Sequence, residues 1–268
     1  MKFVLVIAGS DSCGGAGIQS DIKTVTRLGA HALTAVTAVT AQNSLGISAI
    51  HKIPARFLTR QIEDLLTDIP PDAVKIGMLA TGANIREVAR LISRRHLFPV
   101  VLDPVLKAST GPGLLETGAV ALLRERLLPL VRVVTPNLGE AEVLTGKTVR
   151  NLEEMEKASR VIKDMGPDVV ITGGHLQGSA VDVVYDGKKV YHIRGTRIAT
   201  ANNHGTGCVF SSAMATFLAL GCGVPEAARL ANEFTRGALE GGYPCGRGAG
   251  CVNPAQAGSV RFEEDLSH

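Results

Sequence analysis

Apolar and polar positions along this chain switch between two periods, and the switching predicts an alternation of strands and helices. Residues 3–8, "FVLVIA", form an unbroken apolar run, as expected of a strand buried on both faces. Residues 18–28 then show helical spacing and end at Gly29. "ALTAVTAVTAQ" (32–42), rich in Thr and Val, predicts a second strand, and the alternating "GISAIHKI" (46–53) predicts another close by, in a flap. Pro54 precedes a helix over 55–69, followed by strand 73–79, helix 84–95 and a strand over 99–105 that contains Asp103. The alternation continues with helix 118–128, strand 131–137, a short helix over 138–144, helix 152–165 and strand 168–174. Residues 179–195 predict a hairpin turning at Asp186-Gly187, a strong hairpin dipeptide. Two apolar helices follow at 208–220 and 225–240, and the Gly- and Pro-rich tail after Gly241 has little periodicity.

This order predicts an α/β domain with a mainly parallel central sheet and helices on both faces. No linker, repeat or charge block divides the 268 residues, so one domain over 1–268 is expected. Hydrophobic residues make up 45% and aromatic ones 4%, which implies a large aliphatic core. The net charge of +3 is too mild to imply nucleic acid or a membrane surface as partner. No stretch approaches the 18 or so apolar residues of a membrane span. The start "MKFVLVIAGSDSC" superficially resembles a signal peptide, but its apolar run of about seven residues is at the lower limit for one and reads as the first strand. Five cysteines, an odd number with no CxxC pair, argue against a disulfide framework or a zinc site and suggest reduced thiols in a cytoplasmic protein.

In such sheets ligands collect at the carboxyl ends of the strands. The residues there are Gly9-Ser10-Asp11, Gln42-Asn43, Gly77-Met78, Asp103-Pro104, Pro136-Asn137 with Glu140, and Gly173-Gly174-His175. All are polar or small where the strands are apolar, although any loop favours such residues. "NHGTGC" (203–208) leads directly into an apolar helix. Gly205, Thr206 and Gly207 would leave backbone amides free at the positive end of a helix dipole, an arrangement suited to an anion. Neither common nucleotide motif is present. "LTGKT" lacks the first glycine of a P-loop, because Ala141 stands there, and Gly9, Gly14, Gly15 and Gly17 do not have dinucleotide-loop spacing.

Taken together, "AGSDSCGGAGIQSD", "AVTAQNS", "KIGML", "VLDPV", "TPNLGEAEVLTG", "GGH" and "HGTGC", in that order, closely resemble the hydroxymethylpyrimidine/phosphomethylpyrimidine kinases of thiamin biosynthesis, within the ribokinase superfamily. The likeness runs from about Val6 to Ala238. It implies a three-layer α/β/α ribokinase-like fold and a kinase that uses ATP and Mg2+ on the pyrimidine alcohol and then on its monophosphate. Phosphoryl transfer needs an anion cradle, a metal, positioning and a base for the hydroxyl. The resemblance assigns the cradle to Gly205, Thr206 and Gly207 and the base to Cys208, with a pKa lowered by the helix amino end. It places Asp103, Asn137 and Glu140 near magnesium and phosphates, Asp103 and Glu140 as metal ligands, and Thr172 and Gly174 near the nucleotide. The opening loop would line the substrate pocket, with Gly15 and Ala16 against the ligand and glycines 14, 15 and 17 letting backbone approach a flat ring. Asp11 would face the hydroxymethyl group or hold the loop. The Gln42 amide suits an aminopyrimidine edge and Met78 a soft ring wall, although Met78 alone reads as core. Family members are often homodimers, and residues 46–53 offer an edge for pairing.

The chain departs from the family pattern in places. Ser109 occupies the usual Lys position of the loop after Asp103, with Lys107 two residues earlier. Thr172 stands for the Lys of "KGGH", and Val209 for the Thr after "GTGC". Two other readings therefore stay open: a pyridoxal kinase sharing "GTGC", and a pyrimidine- or nucleotide-binding protein without catalysis.

Overall fold

Among the described residues, nine strands form one sheet: β1 (Phe3–Ser10), β2 (His31–Asn43), β3 (Gly46–Lys52), β4 (Ala73–Ile76), β5 (Val100–Leu102), β6 (Val133–Val134), β7 (Asp168–Ile171), β8 (Ala180–Tyr185) and β9 (Val190–Gly195). The computed structural model describes residues 1–107, 113–174, 176 and 180–258; Ser109 and His175 lie outside the described residues. The spatial order is β3-β2-β1-β4-β5-β6-β7-β8-β9. The run from β2 to β7 is parallel, and β3, β8 and β9 add antiparallel edges.

Strand β1 is central and apolar on both sides, because both sides are covered. Leu5 and Ile7 pack with Leu58, Ile62, Ile85 and Val88 of helices α2 (Ala55–Leu66) and α3 (Gly82–Arg95). Val4 packs on the opposite face with Val25 of α1 (Gly17–Arg27), Phe210 and Met214 of α7 (Thr206–Ala219), and Phe234 of α8 (Val224–Glu240). Helices α4 (Ala119–Leu122), α5 (Leu138–Thr145) and α6 (Leu152–Lys163) cover the first face beside α2 and α3. This is the expected three-layer arrangement. No helix among the described residues is long and apolar enough to cross a membrane.

Strands β4 to β7 are shorter than the sequence pattern predicts, and two further elements differ in form. The helix expected over 118–128 is α-helical only at Ala119–Leu122, then widens to a π turn at Leu123–Leu127 and ends in a 3-10 turn. Pro129 explains the change, since it has no N–H to donate and its ring crowds the carbonyl four residues back. The β8–β9 hairpin forms, but with a four-residue loop, because Tyr185 pairs with Val190. The Asp186 carboxylate accepts hydrogen bonds from the Lys188 and Lys189 amides, which closes the longer turn.

From β1 the chain moves outward to β2 and β3, then crosses back to β4 on the other side of β1. The crevice at the carboxyl ends of β1 and β4 lies at this reversal. The tail folds back onto the same edge, where Cys251 bridges both Tyr243 and His204.

Candidate active site

The cradle is built from backbone. Gly205 caps α7 with φ 94°, and the first helical bond runs from the Val209 amide to the Gly205 carbonyl. The Gly207 and Cys208 amides precede that bond and have no helical partner. Thr206 turns its hydroxyl to the Asn203 carbonyl at 2.7 Å, so it shapes the turn. A Cβ on Gly205 would overlap the Gly15 carbonyl, and one on Gly15 would meet the His204 ring and the Cys251 sulfur. Gly17 has φ 57° and faces the Gly9 carbonyl. The glycines of the opening loop thus have a reason other than the expected approach to a flat ring. Two of them let the loop pack on the cradle and on β1.

Asp11 is 4% exposed and holds that packing together. Its carboxylate accepts from the amides of Cys13 at 2.8 Å, Gly15 at 3.2 Å and Ala16 at 2.9 Å, and from His204 Nε2 at 2.9 Å. Burial pushes the Asp11 carboxyl up, but hydrogen bonds from His204, Ala16 and Cys13 outweigh it and hold it below the usual range. Of the two expected roles, its bonds support holding the loop. Because a carboxylate only accepts, the His204 Nε2 proton goes to Asp11. The Gln42 amide nitrogen, 3.4 Å from the same ring nitrogen, gains no acceptor there and keeps a donor for a ligand. Met78 packs with Ala38 and Ala80 beneath the strand ends, its sulfur close under Gly9.

Below the cradle lies a buried charged cluster that the sequence reading missed. Lys75 Nζ is 2.9 Å from both oxygens of Asp21, and both side chains are 0% exposed. Ser212 donates to Asp21 at 2.7 Å, and Ser211 to Asp103 Oδ2 at 3.0 Å. Burial pulls Lys75 down, but Asp21 more than restores it, so the ammonium stays charged. Asp103, 5% exposed, is pushed up by burial against the pull of Lys75 and Ser211. The signal was present: a lysine within the apolar strand "AVKIG" of a sheet covered on both faces requires a buried partner.

Cys208 sits in the same cluster, and its chemistry differs from the expectation. Burial raises its thiol to about 12, with Lys75 opposing and Asp21 and Asp103 reinforcing. Desolvation, reinforced by the two carboxylates, outweighs any lowering at the helix end. Cys208 is therefore a thiol in the free chain at neutral pH. Glu140 and Asn137 cap α5 reciprocally: the Glu140 amide donates to Asn137 Oδ1 at 3.0 Å, and the Asn137 amide to Glu140 Oε2 at 2.9 Å. Burial, then repulsion by Asp103, pushes the Glu140 carboxyl up to about 8. Thr172 pairs with Asn137 across β6 and β7, whereas Gly174 is exposed with open space around it.

Comparison with known proteins agrees with this geometry. The family model described as phosphomethylpyrimidine kinase matches residues 11–253. The thiamine biosynthesis bifunctional protein ThiED of Geobacter sulfurreducens is 45% identical over 93% of this chain, which spans 51% of that protein. The hydroxymethylpyrimidine/phosphomethylpyrimidine kinase of Streptomyces coelicolor is 42% identical, over 93% of each chain. Among solved structures, the Staphylococcus aureus pyridoxal kinase in complex with AMP-PCP and pyridoxal superposes with a TM-score of 0.90 at 33% identity, over 97% of this chain and 96% of that one.

Proposed function

The chain belongs to the phosphomethylpyrimidine kinase family, and from that membership we propose that it transfers the terminal phosphoryl group of ATP to 4-amino-5-hydroxymethyl-2-methylpyrimidine and then to its monophosphate. The observation that carries this reading is the convergence at one sheet edge of free amides, a thiol and two carboxylates whose anionic forms disfavour each other. In the reaction the hydroxyl oxygen bonds to the γ-phosphorus, the bond to the β,γ-bridging oxygen breaks, and ADP leaves. The Gly207 and Cys208 amides face the charge carried by the migrating group. Gln42 offers a donor to the pyrimidine edge, Met78 and the Gly15-Ala16 turn bound the ring, and Thr172 and Gly174 flank the nucleotide.

Asp103 and Glu140 supply the hard oxygen donors that magnesium prefers, and both are driven away from ionisation until a cation is near. When bound there, Mg2+ would neutralise phosphate charge and offset the Asp103 repulsion that adds to burial in raising the Cys208 thiol. Cys208, beside the cradle, would accept the hydroxyl proton as the thiolate, once its own proton has passed to solvent. The outer edge of β3 ends the sheet and is where a homodimer would pair. A cytoplasmic setting fits its free thiols.

Pyridoxal is the second substrate to weigh, because of the likeness to the pyridoxal kinase of Staphylococcus aureus. The test is ATP-dependent phosphorylation of both alcohols by the wild type and by Gln42→Leu. Turnover of the pyrimidine is expected, with the variant raising KM for the pyrimidine about tenfold, as for one lost hydrogen bond in a closed site, and leaving KM for ATP unchanged. A strong preference for pyridoxal overturns the substrate, and no transfer to either overturns the reaction.

A further inference from the structure

Three sulfurs converge beside the opening loop. Cys13 comes from that loop, Cys245 and Cys251 from the tail, and all three are free thiols. Their sulfur atoms lie within 4.8 Å of one another, and those of Cys13 and Cys245 are 3.7 Å apart. Backbone contacts fix two of the three positions. The Cys13 amide is tied to Asp11, Cys251 exchanges two backbone bonds with Tyr243, and Gly15 leaves the space that the Cys251 sulfur fills. Their places in the chain carry no metal signature, because the ligands come from its two ends.

We propose that Cys13, Cys245 and Cys251 form a site for one thiophilic d10 cation of the zinc and cadmium class, with water as fourth ligand. A Zn–S bond of about 2.3 Å sets the sulfurs of a tetrahedral site about 3.8 Å apart. The Cys13–Cys245 separation already has that value, and the third sulfur needs to close by about 1 Å at most. A disulfide would instead need about 2.05 Å and would leave one thiol unpaired. On binding, the three thiols release their protons to solvent and the sulfurs bond to the cation. The cation then ties the tail to the loop that carries Asp11 more firmly than the Cys13–Cys245 sulfur contact does.

The experiment uses Co2+ as the optical probe on the reduced, metal-free full chain. One Co2+ per chain is expected, with a sulfur-to-cobalt charge-transfer band and intense tetrahedral ligand-field bands that Zn2+ abolishes. Cys13→Ser, Cys245→Ser and Cys251→Ser should each weaken binding about tenfold or more, and Cys222→Ser should bind as wild type. Excess Zn2+ should raise the wild-type Tm by about 5 °C. In a second measurement, on the wild type alone, Zn2+ should protect these three thiols from alkylation and leave Cys222 reactive. Absence of the charge-transfer band, its persistence in all three variants, or equal alkylation with and without Zn2+ overturns the site. So does a Cys13–Cys245 disulfide in the freshly isolated chain.

Discussion

Lys75→Met is the substitution that the buried cluster makes most informative. Lys75 and Asp21 are both 0% exposed and meet through two contacts of 2.9 Å, so no water replaces the lost ammonium. Asp21 would keep only the Ser212 hydroxyl as a partner. Breaking a buried pair in this way costs about 3–5 kcal/mol, because one charge is left uncompensated. For a chain of this size that lowers Tm by about 10 °C. The variant's pH response has a definite sign. Without Lys75 the folded carboxyl of Asp21 lies above its unfolded value of about 3.9, so the folded state binds the proton more tightly. Stability of Lys75→Met therefore rises as pH falls from 7 towards 4, and its gap to wild type narrows. Adding Asp21→Asn removes the stranded charge and recovers most of the loss at pH 7. Turnover does not recover, because the ammonium that opposes the upward pull of burial on Cys208 and Asp103 is still missing. Urea unfolding of the four proteins of the cycle at pH 7 and 5 measures this coupling. A loss below about 1 kcal/mol, or a double variant as unstable as Lys75→Met, would refute the reasoning.

Gly205→Ala places a Cβ at φ 94° against the Gly15 carbonyl, whereas Gly29→Ala meets only its φ of 81° with open space around it. Denaturant melts should show about 1 kcal/mol lost at Gly29 and clearly more at Gly205, with turnover lost only at Gly205; equal losses would mean that the two loops do not pack as described. For Glu140 the folded carboxyl, at about 8, lies above its unfolded value of about 4.3, so the folded chain binds the extra proton across that window and wild-type stability falls as pH rises through it. Glu140→Gln should flatten that slope of Tm against pH, and Mg2+ should flatten it in the wild type alone; identical slopes in both proteins would remove Glu140 from the cation site.

The layers of the fold were legible because each is written locally. The unbroken apolar run of β1 and the helical spacing of α2 and α6 depend only on which faces are covered. The widened end of α4 was missed because a single proline acts four residues back, against a good helical pattern. Residues at the strand ends were legible because the parallel order brings them to one edge whatever their contacts. What failed to read through was anything set by partners distant in sequence. Lys75 meets Asp21 from another element, a pairing that the local pattern of either element does not show. Cys208 was assigned a lowered pKa from its helix end, a local argument. Burial reverses the sign there, reinforced by the two carboxylates brought by α1 and β5.

The same distinction explains the opening loop. Four glycines in nine residues suggested room for a ligand, yet Gly15 and Gly17 make room for protein. Asp11 gathers three loop amides and His204, and His204 in turn receives the tail through the Gly250 carbonyl and the Val252 amide. Hydrogen bonds to a charged group contribute about 1.5–3 kcal/mol each, so this one buried carboxylate can order three chain segments at once. Because Gly205 lies against Gly15, the opening loop and the entrance of α7 share one close contact. A ligand that orders the opening loop therefore also fixes the cradle, and the glycines carry that coupling because any side chain at either position would hold the two loops apart.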